Sequence, residues 1–288
     1  MTTQSLDTHP AAERIMVNMI RKASMSKRFR LVQSLTQSAL WSSLHAWQER
    51  HQQADEREAA IRYISYSCGP ALARSVQAAL GRRECWHIQP ADLVTAMLPA
   101  LKIFDELGIP SYLGGSVASS LHGMQQLAQD IDLIADLPEH QLPALLALLG
   151  HHYVLDIDMA RQAMQERASF PLIHLDSLMK IDVILPRAGT FDTAMSQLAA
   201  LYTLDERYPP FKVASAYEMI LFKLQRYQHD ERSRSDGMRD DAEWNDLMGM
   251  LKVQGPDLDL MLLEQWAETL DAGNTWQRAL TDAELADV

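Results

Sequence analysis

Two apolar runs of strand character each carry aspartate in their midst, and they limit what this chain can fold into. The first is Asp130-Ile131-Asp132-Leu133-Ile134, and the second is Lys180-Ile181-Asp182-Val183-Ile184-Leu185. Aspartate is disfavoured in strands. Residues two apart on a strand project from one face, so Asp130 and Asp132 share one. Like charges on a half-buried strand repel and raise at least one pKa unless a cation lies between them. Magnesium, which takes hard oxygen ligands, is the natural candidate. An isolated Asp-x-Asp reads equally as a solvated strand face or a pair of turn acids. Asp182 changes that balance. If its strand lies beside the first, the three carboxylates can form one cluster holding two metals about 3.5–4 Å apart. One metal would hold a triphosphate, the other would lower the pKa of an attacking hydroxyl, and Asp182 is the candidate general base.

Just ahead of the acidic strand, Ser111-Tyr112-Leu113 reads as a short strand entering Gly114-Gly115-Ser116. Glycines without a Cβ let the backbone approach a bulky anion closely. The helix that follows, Ser116 to His122, would present free N–H groups and its positive dipole end to phosphate. Ser116 adds a hydroxyl donor. Taken alone, such a turn serves tight packing as readily as phosphate binding. His122 reads as a packed or hydrogen-bonded histidine.

The pattern of apolar residues divides the chain into three. Residues 1–88 form a helical N-terminal region, with Met16, Met19, Ile20, Phe29, Val32, Leu35 and Leu40 at helical spacing and Pro70 opening a further helix. Residues 89–212 form a sheet-centred core. A helix opened by Pro90 ends before Gly108, and Leu142 to Leu149 is helical up to Gly150. Strands are expected at Tyr153 to Leu155, Phe170 to Leu175 and Met179 to Leu185, with helix over Met159 to Arg167. Residues 213–288 are helical again. Ser215 and Glu218 form a capping box for a helix running to about His229, a charged and mobile loop covers His229 to Asp241, and two or three helices follow. The fold class is therefore α/β of the α+β kind.

A formal net charge of −12 disfavours a broad DNA-binding surface. A local basic patch is still compatible with this charge: Arg14, Arg21, Lys22, Lys27, Arg28 and Arg30 stand near the N-terminus against only Asp7 and Glu13. Cys68 and Cys85 make neither a metal spacing nor a disulfide framework, and no apolar run is long enough to span a bilayer. A cytoplasmic protein without a membrane partner is the expectation.

With these motifs in order, the chain resembles the nucleotidyltransferases of the DNA polymerase beta-like superfamily, and within it the AbiEii-type toxins. The likeness rests on Tyr112-Leu113-Gly114-Gly115-Ser116-Val117-Ala118-Ser119-Ser120-Leu121-His122-Gly123, then Asp130-Ile131-Asp132-Leu133, then Ile181-Asp182-Val183-Ile184. It continues in Val213 to Leu224 and in Trp244-Asn245-Asp246-Leu247-Met248-Gly249, covering about residues 90 to 270. The resemblance implies a mixed sheet flanked by helices, Mg2+ or Mn2+ held by Asp130, Asp132 and Asp182, and a nucleoside triphosphate donor at Gly114, Gly115 and Ser116. It also implies that Lys223 contacts donor phosphates, and that the acceptor is RNA, tRNA included, or protein, in a toxin–antitoxin setting. Read from spacing alone, Lys223 is a lysine snorkelling off a helix, and Asp246 is a structural acid. Family members often carry an arginine and a threonine before the acid pair, where this chain has Gln126-Leu127-Ala128-Gln129. Loss of that cation motivates the alternative of a catalytically degenerate fold acting as a regulatory or protein-binding module.

Overall fold

A computed structural model describes residues 8–50, 55–89, 92–128, 130–150, 152–187, 189–233 and 241–285. Pro90, Gln129 and most of the expected 229–241 loop (residues 234–240) lie outside the described residues. In chain order the elements begin α1 (Pro10–Lys22), α2 (Met25–Arg50), α3 (Glu56–Cys68), α4 (Pro70–Gly81), α5 (Leu93–Glu106), β1 (Ser111–Leu113) and α6 (Gly115–His122). Next come β2 (Ile131–Ala135), α7 (Leu142–Leu149), β3 (Tyr153–Val154), α8 (Ile157–Glu166), β4 (Ser169–His174), β5 (Lys180–Ile184) and α9 (Thr190–Ser196). The chain closes with β6 (Ala200–Tyr202), β7 (Phe211–Val213), α10 (Ala216–Ser233), α11 (Asp241–Gln254), α12 (Leu260–Thr269) and α13 (Gly273–Asp282).

These elements gather into two compact units. A sheet unit comprises residues 31–116 and 127–193, and a helical unit comprises 1–30, 117–126 and 194–288. In the sheet unit the strand order is β3-β4-β5-β2-β1. The sheet is mixed: β2 runs parallel to β5, while β1 on β2, β4 on β5 and β3 on β4 are antiparallel. This is the mixed, helix-flanked sheet expected from the sequence. Helices α3 and α4 pack together, and their Ile64, Leu72, Val76 and Leu80 share a core with Ile173 and Leu175. Burying such a side chain fully contributes about 1.5–3 kcal/mol. The connector after α4 is fastened to this core by Trp86, whose indole N–H donates to the Leu175 carbonyl at 3.0 Å. Helix α5 packs on α7 and on strands β1 and β2, and α8 packs on β4.

Local chemistry sets the helix ends. Asp55, Asp92 and Asp156 accept from the backbone N–H of Glu58, Val94 and Met159 respectively, satisfying donors that the first turn leaves unpaired. Helix α5 thus begins behind Asp92. Helix α8 ends at Arg167 in the left-handed region, φ 51°.

In the helical unit, the Ser215 hydroxyl accepts from Glu218 N–H at 3.1 Å and opens α10, as the capping sequence predicts. The helix continues to Ser233, four residues beyond the expected end. Its Tyr227 ring lies 4.7 Å from that of Trp244, and the Arg278 guanidinium lies 4.3 Å from the centre of Trp244, a cation–π arrangement. Glu13 and Lys252 form a buried ion pair at 2.7 Å, with Arg21 donating to the Lys252 carbonyl. The β6–β7 hairpin and the short α9 were not expected. Residues 200–202 are largely exposed, so they lack the apolar alternation that marks a half-buried strand.

Candidate active site

The register of β2 and β5 brings two of the three acids side by side. Asp132 is paired with Asp182, flanked by Ile131 against Ile181 and Leu133 against Val183. Burial alternates along both strands: Ile131, Leu133 and Ala135 are buried on β2, and Ile181 and Val183 on β5. The apolar residues hold the strands into the core, and the period of two turns Asp132 and Asp182 to the opposite, partly open face. Asp130, just before β2, joins the cluster through a residue that sequence reasoning gave no role.

That residue is Lys180. Its ammonium lies 2.7 Å from Asp182 Oδ2 and 2.9 Å from Asp130 Oδ2. The signal for it is Lys-x-Asp on a strand, which places Lys180 and Asp182 on one face. Burial works against the Lys180 charge, but hydrogen bonds and attraction from Asp182 and Asp130 outweigh it and hold the ammonium above the ordinary lysine range. Burial also pushes the Asp182 carboxyl up, with Lys180 opposing and Asp130 adding to the rise.

Three carboxylates on adjoining strands are the hard-oxygen donor set that suits magnesium or manganese. Among the described residues, no three His, Cys, Asp or Glu groups stand ready as a metal cage. The place between Asp130 and Asp182 is one where a cation is stabilised, and the Lys180 ammonium is the cation there. The carboxylates are of the donor type a divalent ion takes, and such an ion would have to replace Lys180.

The glycine turn meets this cluster directly. Gly114 N–H donates to the Asp132 carbonyl at 2.9 Å, tying the turn to β2. Gly115 has φ 54°, and a Cβ built on it would fall within the Asp132 carboxylate. Both facts demand glycine: the left-handed backbone and the close approach of an acid. Ser116 follows in the first turn of α6. The structure thus brings Gly114, Gly115, Ser116, Asp130, Asp132 and Asp182 together within the sheet unit.

Lys223 belongs to the helical unit. It is buried, and its ammonium lies 2.8 Å from Glu243 and 2.5 Å from Asp246. Asp246 also accepts from the Ser119 hydroxyl at 3.2 Å. Burial opposes the Lys223 charge, and the two acids overcome it and raise its pKa. Burial raises the Asp246 carboxyl as well, against the pull of Lys223. Asp246 is thus fixed in a charge network, as the reading of it as a structural acid anticipates. His122 is buried too, with Nε2 at 2.7 Å from the Ala214 carbonyl.

Among the described residues, no helix is long and apolar enough to cross a membrane. No protein-family model and no curated protein matches the sequence. Among solved structures, the chain is similar to a crystal structure from H. pylori of a protein provisionally assigned as a nucleotidyltransferase, at 13% identity over 67% of this chain and 80% of that one, with a TM-score of 0.34.

Proposed function

We propose that this chain is a metal-dependent nucleotidyltransferase that moves a nucleoside monophosphate from a nucleoside triphosphate to a hydroxyl of RNA or protein. The observation that carries the reading is the pairing of Asp132 with Asp182 across β2 and β5, with Asp130 tied to Asp182 through Lys180. In the reaction a bond forms between the acceptor oxygen and the α-phosphorus, the α–β phosphoanhydride bond breaks, and pyrophosphate leaves. Asp182 takes the acceptor proton, a role helped by burial that raises its basicity. Gly115 lets the Asp132 carboxylate approach the turn, and Gly114, Gly115 and Ser116 would meet phosphate at the N-terminal end of α6, whose dipole favours negative charge. A bound Mg2+ or Mn2+ would neutralise the triphosphate and acidify the attacking hydroxyl. The resemblance to AbiEii-type toxins extends the proposal to a cytoplasmic toxin–antitoxin role.

Labelled nucleotides, a divalent metal and cell lysate test it. The expected result is incorporation by the wild type and none by the Asp130→Ala/Asp132→Ala variant. Equal incorporation by both, or none with all four nucleotides, overturns the proposal.

A second reading is favoured by the Lys180 ammonium between Asp130 and Asp182, a built-in cation where a metal would otherwise sit. In it the chain keeps the fold as a regulatory or protein-binding module, and Lys180 stands in for the metal permanently. Calorimetry separates the two: metal-dependent nucleoside triphosphate binding removes the second reading, and no binding at millimolar magnesium removes the first.

A further inference from the structure

The sheet unit holds a cavity of about 320 Å³ that opens beside the acidic cluster. Its walls include Trp41 from α2 and Tyr63 and Tyr66 from α3, and its lining contains Asp130 and Lys180. Trp41 is 46% exposed and Tyr66 is 88% exposed, an unusual outlay of aromatic surface on two neighbouring helices. The volume falls at the lower end of the range for small-molecule sites. None of Gly114, Gly115, Ser116 or Asp132 is in the lining. The cavity therefore meets the cluster at its Asp130 end, apart from the glycine turn.

Charge narrows the occupant. Asp130 and Lys180 are the charged groups of the lining, and each is paired with the other at 2.9 Å. Nothing in the cavity offers a surplus positive charge to a phosphate. The surfaces on offer are flat aromatic rings together with hydroxyl and amide groups, Ser43, Ser177 and Gln89 among them. A planar, uncharged, hydrogen-bonding group matches that set, and stacking of a nucleobase on aromatic side chains is its commonest form.

We infer that this cavity is a second substrate site, taking the unpaired terminal nucleoside of an acceptor strand, with its base against Trp41 and Tyr66 and its sugar hydroxyls toward Asp130. The name "acceptor" rests on the nucleotidyltransferase reading; binding of a nucleoside here does not. The helices that precede the sheet core thereby acquire a role in choosing what is modified.

Cys68 provides the readout, because it lines the cavity and is half-buried, whereas Cys85 is exposed and lies outside it. Alkylation of the two thiols in the full chain is followed by mass spectrometry, with adenosine, cytidine, guanosine or uridine present and no triphosphate. At about four times its Kd, a nucleoside that occupies the cavity slows Cys68 alkylation about fivefold and leaves Cys85 unchanged. Trp41→Ala and Tyr66→Ala, both at exposed positions where folding tolerates change, each raise the Kd about tenfold, the loss of one base–aromatic stack, so that at the same nucleoside concentration protection falls from about fivefold to about 1.4-fold. The inference is overturned if no nucleoside slows Cys68, if Cys85 slows equally, or if both variants keep full protection. Protection by N-acetyltyrosinamide or N-acetylserinamide but not by nucleosides overturns it in favour of a protein acceptor. Protection without nucleotide transfer to any acceptor leaves the site standing and removes the transferase reading, whereas transfer to RNA without protection does the reverse.

Discussion

The Asp132 carboxylate fills the space that a side chain on Gly115 would require, and Gly115 holds φ 54° to leave it there. A methyl group at this position strains the backbone and expels the acid together. Gly115→Ala is expected to cost about 1–3 kcal/mol in urea unfolding from backbone strain and to abolish triphosphate binding. Gly81→Ala is the control: a Cβ there meets nothing within 4 Å, so stability should hold or rise by up to about 1 kcal/mol. Equal behaviour of the two variants would show that the Asp132 contact is not what fixes Gly115.

Lys180 pairs with Asp130 and Asp182 at once, one positive charge against two negative ones. Lys180→Met leaves two carboxylates facing each other, so the metal-free variant should melt lower, by about 1–2 kcal/mol given the partial exposure of the pair. Added Mg2+ should then restore most of that loss, because a divalent ion replaces the missing ammonium. A thermal shift titration reads this without any assay of activity. If magnesium raises wild type and variant by the same amount, Lys180 and the metal do not compete for one place.

Lys223 has been assigned two roles that one substitution separates. Its ammonium is buried between Glu243 and Asp246, and removing one partner of a buried ion pair costs about 3–5 kcal/mol. Lys223→Met should therefore lose stability on that scale in denaturant unfolding, and Lys223→Met with Asp246→Leu should recover part of it. A variant of wild-type stability that fails to bind triphosphate would instead assign Lys223 to donor phosphates.

Much of the site was readable because strand periodicity is short and local. The spacing of Asp130 and Asp132, and the apolar residues around Asp182, predict which side chains share a face. The register that sets Asp132 against Asp182 was not readable, because pairing depends on partners about fifty residues apart, and periodicity constrains faces rather than neighbours. The role of Lys180 is hidden in the sequence for a related reason. Its charge gains meaning only once Asp130 is known to lie within reach from the adjoining strand. Helix starts marked by a side-chain cap, such as Ser215 before α10, were legible from a few residues. Strand β6 was not, because its largely exposed residues carry no burial pattern. Helices α1 to α4 were legible as helix, but the cavity that α2 and α3 build with Asp130 is a tertiary product that no sequence window contains.

His122 couples the fold to acid. It is 4% exposed, and burial lowers its pKa from 6.5 to about 4; the bond to the Ala214 carbonyl resists that fall and the Arg28 guanidinium adds to it. The Tyr202 ring also lies against it, centroids 6.4 Å apart. The neutral imidazole donates from Nε2 to Ala214, so protonation gains no bond and places a charge beside Arg28. An unfolded chain takes up this proton near pH 6.5 and the folded chain only near pH 4. Stability from this group is therefore complete above about pH 6.5 and falls as the pH drops toward 4, by about 3 kcal/mol at 1.36 kcal/mol per pKa unit. His174 is shifted the same way, first by burial, with Asp176 opposing and His152 and Arg83 adding, and steepens the same limb. Asp182 and Asp246 are shifted upward and work in the opposite sense, so the total curve mixes both. The difference between wild type and His122→Gln isolates the histidine, since glutamine can still donate to Ala214 and carries no titration. Urea unfolding at intervals from pH 8 to pH 4 should show the two proteins converging as the pH falls, with the variant losing less. Parallel curves across that range would mean that His122 is protonated in the folded chain as easily as in the unfolded one.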